Sequence, residues 1–399
     1  MSAPSWSPAR ARATRAGLVR RAVVVCLLLA IVACAPIVAQ DTPPADRWQP
    51  VRELCESAIA EKKFPGCVVV IGNSQGVQFQ QAFGHRRLLP DPEPMTLDTV
   101  FDLASLTKPI ATATSILKLV DQGQVEVDAP VMKYLPEFGV NGKEAITVRQ
   151  LLTHQGGLIA DNHINDYSGT RAENLARVMS LRTTVPPGSK FIYSDVGFIV
   201  LGEVVARVSQ QPLEQFAREQ IFVPLGMHET TYVPTAELQT RCATTQQRDG
   251  HWLRGEVHDP RAIRLDGIAG HAGLFSTGAD VARYAQAMLS AQSAQPVFHP
   301  ATWELMTTTN EVPTQKAEQP VARRGLGWDL RSPFSRNRPM SMSDKAFGHS
   351  GFTGTSLWID PGSDLFVVFL SNRVHPDGKG LSNPTAALVG DAAKVALSP

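Results

Sequence analysis

The distribution of strand and helix patterns along the chain limits its fold more than any other feature of the sequence. Near the beginning, a β-branched run at 67–72 and an alternating segment at 77–83 enclose a four-residue turn that contains glycine. Near the end, segments 356–360 and 365–371 enclose another such turn. Apolar and β-branched runs around short glycine-containing turns are typical of hairpins, so the sequence predicts one hairpin at each end.

Helical spacing of apolar residues dominates the intervening chain. The segments with this spacing are 110–122, 148–152, 171–179, 198–208, 213–221 and 277–291. Further helices are predicted at 51–62 and at 384–397, the second with Asn383 as its cap.

Strands at both ends with helices between them predict an α/β (α+β) fold. We expect one antiparallel sheet, formed by both chain ends and flanked by helices, with an inserted, mostly helical lobe. The sheet part would cover about 51–108 and 275–399, and the lobe about 109–274. A cleft between the two parts is a natural place for a ligand site.

The first 39 residues have the composition of an export signal. Five arginines precede the apolar segment 22–33, which is too short to span a bilayer comfortably but suits a signal peptide. Residues 31–34, Ile-Val-Ala-Cys, resemble a bacterial lipobox, which would place a lipid on Cys34. Cleavage near Ala35 or Ala39 and an uncleaved anchor are the alternatives. We expect an exported, periplasmic protein, joined by a linker at 40–50.

Charge and cysteine content exclude some classes of protein. The chain has 38 basic and 37 acidic residues, and the basic residues are not concentrated in a stripe. The sequence therefore predicts no nucleic-acid partner. Cys55, Cys67 and Cys242 lack the spacing of metal ligands. A disulfide between Cys55 and Cys67 and buried free thiols both agree with the sequence.

A Ser-x-x-Lys pattern, Ser105 to Lys108, is the sharpest chemical feature of the chain. If Ser105 opens a helix, Lys108 lies one turn further on the same face, and Pro109 is tolerated in that first turn. A desolvated lysine can help to activate a serine hydroxyl as a nucleophile. By itself the pattern is more typical of a cap serine followed by a surface lysine.

Two further segments change that assessment. Tyr193-Ser194-Asp195 precedes a predicted helix; Tyr193 could relay a proton and Asp195 could hold Lys108. His349-Ser350-Gly351-Phe352 leads into the strand at 356–360, and glycine there allows the backbone to approach a ligand closely. Each segment alone also fits an ordinary structural role, as a packed tyrosine with a helix-capping acid or as a turn.

The order Ser-x-x-Lys, Tyr-Ser-Asp, His-Ser-Gly resembles the serine β-lactamase and penicillin-binding-protein superfamily. It is most similar to the group around class C β-lactamases, which includes D-Ala-D-Ala carboxypeptidases, esterases and peptidoglycan amidases. The resemblance covers about residue 51 to the C-terminus. Supporting segments are Leu151–His154, Pro186–Gly188, Pro224–Met227 and Gly270–Thr277.

The resemblance implies roles for the motif residues. Ser105 would attack a carbonyl carbon to form an acyl-enzyme, and Lys108 and Tyr193 would share the proton transfers, with either one as the base. The backbone N–H groups of Ser105 and Phe352 would form the oxyanion hole, with Ser350 and Gly351 beside it. The resemblance implies neither a metal nor an organic cofactor.

Two motif positions depart from the family pattern. Asp195 stands where asparagine is frequent, and its carboxylate would raise the pKa of Lys108. We therefore expect Lys108 to act mainly as a positive charge that lowers the pKa of Tyr193. His349 stands where many members have lysine; with an ordinary pKa of about 6.5 it offers less charge to a substrate carboxylate. Arg373 could bind that carboxylate instead, or be a surface arginine.

Other histidines give little support for a metal site. His258, Asp259 and His271 lack the spacing of a metalloprotease motif, and we expect them to hold a loop beside the cleft.

The sequence thus predicts an exported, monomeric serine hydrolase. Its expected substrate is a peptidoglycan peptide, as for a D-Ala-D-Ala carboxypeptidase or weak β-lactamase. The alternatives are an esterase, an N-acetylmuramoyl-L-alanine amidase, or a non-catalytic wall-binding or penicillin-sensing protein.

Overall fold

The chain ends meet in one antiparallel sheet. A computed structural model describes residues 46–290 and 297–398, and the predicted export signal, Cys34 and most of the predicted linker lie outside these residues. The strands in chain order are β1 Gly66–Asn73, β2 Gly76–Arg87, β3 Glu93–Pro94, β4 Val100–Asp102, β5 Thr231–Tyr232, β6 Thr244–Arg248, β7 His251–Arg254, β8 Leu274–Thr277, β9 Asn310–Lys316, β10 Gln319–Arg324, β11 Asp329–Arg331, β12 Phe347–Ser350, β13 Ser356–Asp360 and β14 Leu365–Ser371.

In the described residues, nine of these strands form the main sheet. Their order across it is β3-β2-β1-β14-β13-β12-β11-β10-β9. Strand β1 from the first hairpin pairs with β14 from the last, with Cys67 opposite Ser371. Both predicted hairpins are present, and the expected fold class is confirmed.

Helices flank the sheet and fill most of the lobe. They are α1 Gln49–Ala60, α2 Thr114–Asp121, α3 Val148–Leu152, α4 Arg171–Ser180, α5 Asp195–Ser209, α6 Leu213–Ala217, α7 Ala236–Gln239, α8 Pro260–Ile263, α9 Gly278–Met288, α10 Pro300–Thr307 and α11 Asn383–Leu397. Among the described residues, none of the helices is long and apolar enough to cross a membrane.

The continuous apolar character of β1 follows from burial of both faces of the sheet. Val68 and Val70 pack into the core that extends through the lobe. Cys67, Val69 and Ile71 point the other way, into a second core beneath α1 and α11. Because side chains alternate along a strand, a strand that is covered on both sides needs apolar residues at every position.

Among other differences, the structure departs from the predicted elements at the start of two helices and in the lobe. The predicted helix at 110–122 begins with a π-helical segment, Lys108–Ala113, before α2. Pro109 has no N–H to donate in a regular helical bond, and its carbonyl accepts from both the N–H and the hydroxyl of Thr114, the hydroxyl at 2.8 Å. Helix α11 begins at Asn383, so Ser382 occupies the cap position. The lobe also contributes β5, which pairs with β8 in a three-stranded sheet with β4.

The cysteines of the described residues are thiols. Cys55, Cys67 and Cys242 are buried and free, so the disulfide alternative for Cys55 and Cys67 is not the one that the structure adopts. Burial raises the pKa of the Cys242 thiol to about 12, which makes it a poor nucleophile.

Candidate active site

Ser105 lies in a strained turn that follows β4. Ala104, the residue before it, has a φ of 46°, in the left-handed region that non-glycine residues rarely adopt. The buried Asp102 side chain holds this turn, since it accepts hydrogen bonds from the N–H of Ala104 at 2.8 Å and of His258 at 2.7 Å. Burial raises the pKa of Asp102 to about 6, against the effect of these two N–H groups. The turn is thus fixed by surrounding structure, as expected of a functional site.

The chain after β12 packs directly on the serine turn. The hydroxyls of Thr353 and Thr355 donate to the carbonyls of Asp102 and Leu103, at 2.7 and 3.0 Å. A Cβ on Gly351 would lie 2.3 Å from the Leu103 carbonyl oxygen. Glycine is therefore required at 351 for this close approach, which brings the His-Ser-Gly motif to the nucleophile.

Lys108 is fully buried beside the serine. Its Nζ contacts Ser105 Oγ at 2.9 Å, the His271 carbonyl at 3.0 Å and Asp195 Oδ1 at 2.6 Å. An ammonium group has three N–H donors and no acceptor. Two donors bond to the Ser105 hydroxyl and the His271 carbonyl, and the charge is paired with the Asp195 carboxylate. The geometry is that of a charged lysine that donates to the serine.

The electrostatics agree with a charged Lys108. Burial works to lower its pKa, but the Asp195 carboxylate and Tyr193 outweigh burial, and the net shift is upward. Burial raises the pKa of Tyr193; Lys108 lowers it and Asp195 raises it further, with a net upward shift. The expectation that Asp195 raises the pKa of Lys108 holds. Lys108 lowers the pKa of Tyr193 as expected, but burial outweighs this effect, so the net shift is upward.

His154 supports Tyr193 from below. Its ring lies 4.5 Å from the Tyr193 ring between centroids, and its Nδ1 accepts from the N–H of Ser194 at 3.0 Å. Its own carbonyl accepts from the N–H of Ile192 at 3.0 Å. Phe334 stacks on Tyr193 at 4.8 Å between centroids. The tyrosine is thus fixed just before α5, whose first residue is Asp195 and whose cap is Ser194.

His349 is a neutral imidazole in this environment. It is buried, and its Nδ1 lies 2.8 Å from the carbonyl oxygen of Ser350. Burial lowers its pKa well below the ordinary value, and the positive charges of Arg324 and Lys108 add to this effect. The predicted titration near pH 6.5 is therefore corrected. With Nδ1–H donating to the carbonyl, Nε2 is left as an acceptor.

A cavity of about 350 Å³ opens in front of these groups. The residues singled out from the sequence that line it are Ser105, Tyr193, His349, Ser350, Gly351, Phe352 and Arg373. Lys108 and Asp195 lie next to Ser105, behind the cavity wall. The structure also places Arg324, Asp329 and Phe334 on this cavity, which the sequence analysis missed. Arg324 lies in β10, Asp329 in β11 and Phe334 after β11, and no sequence motif marks any of them.

Arg373 holds one wall of the cavity. Its Nη1 donates to the carbonyls of Gly378 and Gly380, at 3.4 and 2.9 Å. Its guanidinium carbon lies 4.5 Å from the centroid of the Phe352 ring, a cation–π distance. Phe352 itself is 59% exposed. Arg373 is thus a half-buried residue of the site rather than a free surface arginine.

Asp259 and His271 form a hydrogen-bonded pair behind Lys108. His271 Nε2 lies 2.9 Å from Asp259 Oδ1, and Asp259 also caps α8. Ligand atoms of Asp195, Asp259 and His271 lie within 4.8 Å of one another, a grouping that the sequence spacing did not indicate. The ammonium group of Lys108 already contacts Asp195 and the His271 carbonyl, so a cation is built into this donor set.

Comparison with known proteins agrees with this site and fold. The family model described as Beta-lactamase matches residues 51–392. The chain is 31% identical to "Putative D-alanyl-D-alanine carboxypeptidase" of Escherichia coli (strain K12), over 78% of this chain and 79% of that protein. It is 32% identical to "N-acetylmuramyl-L-alanine amidase" of Bacillus subtilis (strain 168), over 82% and 80%.

A solved structure shows the same fold. "EstCE1, a hydrolase with promiscuous acyltransferase activity" superposes with a TM-score of 0.72 at 23% sequence identity, covering 87% of this chain and 98% of that one. The fold and the family together are those of a serine hydrolase. The chain belongs to the Beta-lactamase family, within the serine β-lactamase and penicillin-binding-protein superfamily.

Proposed function

We propose that this serine hydrolase is an exported D-Ala-D-Ala carboxypeptidase that acts on peptidoglycan peptides through an acyl-enzyme on Ser105. The observation that carries the proposal is the charged Lys108, which donates hydrogen bonds to Ser105 and a backbone carbonyl and is ion-paired with Asp195. Such a lysine holds the serine oxygen and places a positive charge beside it. The relationship to the Escherichia coli protein supports the choice of substrate.

The geometry supports different roles for Lys108 and Tyr193 in acylation. Because the Lys108 ammonium has no lone pair, Tyr193 in its phenolate form is the group that receives the Ser105 proton. Ser105 Oγ bonds to the scissile carbonyl carbon, and the backbone N–H groups of Ser105 and Phe352 stabilise the oxyanion. Tyr193 then passes the proton to the nitrogen of the departing D-alanine as the C–N bond breaks. Water releases the acyl group by the reverse sequence.

Digestion of purified muropeptides tests the substrate. A pentapeptide that ends in D-Ala-D-Ala should lose one D-alanine with the wild-type protein and with a control variant, Ser189→Ala, but not with Ser105→Ala. Chromatography with mass detection separates the products. Absence of D-alanine release by the wild type, or equal release by Ser105→Ala, would contradict the proposal.

A second candidate is an N-acetylmuramoyl-L-alanine amidase. The neutral His349, with Nε2 as an acceptor, suits a substrate N–H better than a carboxylate. The relationship to the Bacillus subtilis amidase points the same way. The same digest distinguishes the two activities, because an amidase releases the whole peptide from the sugar and leaves the D-Ala-D-Ala end intact.

The cellular location is part of the proposal. A positively charged segment followed by an apolar segment at the N-terminus supports export. The segment that ends in Cys34 supports a lipid anchor at that residue. The proposed oligomeric state is a monomer. Metabolic labelling with a fatty acid should mark the wild-type protein and not a Cys34→Ala variant. Equal labelling of both would contradict lipidation at this residue.

A further inference from the structure

The pair of residues His258-Asp259 lies directly behind the candidate active site. Asp259 Oδ1 accepts from the N–H groups of Arg261 and Ala262, at 2.9 and 2.7 Å, and from His271 Nε2 at 2.9 Å. The His271 side chain is buried, and within the described residues its Nδ1 has no hydrogen-bond partner. The bond to Asp259 is therefore the hydrogen bond that orients this imidazole.

His271 also contributes a backbone carbonyl to the candidate active site. Lys108 Nζ donates to this carbonyl at 3.0 Å and to Ser105 Oγ at 2.9 Å. The residue lies in the segment Gly270-His271-Ala272-Gly273, and glycine gives a backbone little rigidity of its own. The position of the carbonyl therefore depends on side-chain contacts, and the bond to Asp259 is the one that His271 itself makes.

The same two residues are connected to the turn of the nucleophile. The N–H of His258 donates to the carboxylate of Asp102 at 2.7 Å, and this carboxylate also holds the strained turn before Ser105. The neighbouring Asp259 is connected to the lysine through His271. Because the serine turn and the lysine are tied to consecutive residues, the distance between the two groups depends on this part of the chain.

Asp259 is a charged carboxylate in this environment. Burial works to raise its pKa, but His271, the N–H of Ala262 and the charge of Lys108 outweigh burial, and the net shift is downward. Hydrogen bonds to a charged acceptor are stronger than those to a neutral acceptor. Removal of the charge alone should therefore weaken the bond that orients His271.

We propose that Asp259 is a positioning residue for acylation, which acts through His271 to hold the backbone carbonyl that orients the Lys108 ammonium toward Ser105. Asp259 takes no part in bond making or breaking. The inference rests on the acyl-enzyme chemistry of the proposed function and deepens it, but it does not depend on the identity of the natural substrate. A displacement of about 1 Å within a catalytic site can cost about 100-fold in rate.

Acylation by a neutral synthetic ester tests this role. The ester joins N-phenylacetylglycine to 3-hydroxybenzamide, and stopped-flow detection of the released 3-hydroxybenzamide over a range of ester concentrations gives two quantities. These are the acylation rate constant and the apparent dissociation constant of the ester. We expect Asp259→Asn, which keeps the Oδ1 acceptor without the charge, to lower the rate constant by about tenfold. The apparent dissociation constant should stay within about twofold of the wild-type value.

Variants of His271 show whether the hydrogen bond itself carries the effect. His271→Leu removes the donor but leaves the backbone carbonyl, and we expect it to slow acylation by about 10- to 100-fold. The double variant with Asp259→Asn should be no slower, because both changes break the same bond. His271→Gln retains a side-chain N–H and should recover part of the rate. Asp259 keeps its helix-capping bonds in His271→Leu, so this variant carries the test if circular dichroism shows that Asp259→Asn does not fold.

Asp280→Asn is the matched control. Asp280 is also a buried aspartate, and it accepts from the N–H of Glu229 at 2.8 Å and from the hydroxyl of Thr230 at 3.0 Å. Neither partner belongs to the candidate active site. We expect this variant to keep the wild-type acylation rate constant, whatever its effect on the thermal unfolding temperature.

The outcomes separate this inference from the proposed function. Unchanged rate constants in both Asp259→Asn and His271→Leu overturn the inference. So does an effect confined to the apparent dissociation constant, an additive loss in the double variant, or an equal loss in Asp280→Asn. A wild type that the ester does not acylate overturns the inference together with the proposed mechanism. If acylation depends on Asp259 but no muropeptide loses D-alanine, only the proposed substrate fails.

Discussion

Two ion pairs with buried cations lie beside the same cavity, and they differ in how completely their cations are bonded. The Lys108–Asp195 pair is short, at 2.6 Å, and the ammonium also donates hydrogen bonds to two further oxygens. The Arg324–Asp329 pair is long, at 3.4 Å, and the guanidinium nitrogens make no hydrogen bond in the described part of the chain. We call the first pair closed, because its cation donates hydrogen bonds within the protein, and the second pair open, because its cation donates none in the described residues.

This difference suggests different roles for the two cations. An ammonium has no lone pair and cannot accept a proton, so Lys108 can only fix and polarise Ser105. The guanidinium of Arg324 makes no such contact with the nucleophile. The closed pair therefore serves the reaction, whereas the open pair is part of the cavity wall. Each prediction below disturbs one of the pairs.

Removal of the Lys108 ammonium, the cation of the closed pair, should have the largest effect on the rate of acylation. Lys108→Met keeps the length of the side chain but deletes the charge and the contact with Ser105. We expect acylation by the neutral 3-hydroxybenzamide ester to slow by about 10⁴-fold, the upper end for proton-transfer groups. Stopped-flow detection of the released phenol measures the rate, with Lys345→Met, an exposed lysine, as control. A loss of less than about tenfold would mean that the lysine charge is not needed.

Removal of the carboxylate from the open pair should mainly reduce stability. Asp329→Asn leaves the Arg324 charge buried without its partner, and such a change typically costs about 3–5 kcal/mol in the free energy of unfolding. Denaturant unfolding followed by fluorescence measures it. Asp344→Asn, at an aspartate whose side chain is 90% exposed, is the control. Equal stability of the two variants would show that Arg324 is compensated by other groups.

Removal of the Asp195 carboxylate from the closed pair should change the pH dependence of acylation more than its maximal rate. Asp195 raises the pKa of both Lys108 and Tyr193, so Asp195→Asn lowers both pKa values. Because acylation needs Tyr193 as a base, the rising limb of the pH–rate profile should move to lower pH, with a maximal rate within about tenfold of the wild type. The profile with the neutral ester measures this. A limb at the wild-type position would refute a role for Asp195 in setting these pKa values.

The sequence predicted the closed pair but not the open one, for a physical reason. Ser105, Lys108 and Tyr193 stand in short motifs whose spacing reflects one helical turn and a helix start, so local geometry brings them close to their final places. Arg324 and Asp329 meet through pairing of two strands that carry no motif. Their incomplete bonding depends on burial by distant parts of the chain, which spacing does not encode.

The fold shows the same division. The terminal hairpins were predicted with nearly the observed bounds, because strand alternation and turn residues are local signals. The π-helical start at Lys108 and the left-handed conformation of Ala104 were not predicted. Both depend on contacts with remote segments, such as the Asp102 side chain between Ala104 and His258.

The central claim, that the closed pair serves covalent chemistry on Ser105 and the open pair does not, is tested most directly by intact-protein mass spectrometry. The wild type, Ser105→Ala and Arg324→Met are each mixed with a neutral active ester and stopped within the first turnover. The account predicts one acyl adduct, mapped to Ser105, on the wild type and on Arg324→Met, and none on Ser105→Ala. An adduct on Ser105→Ala, or none on the wild type with any acyl donor, would contradict it.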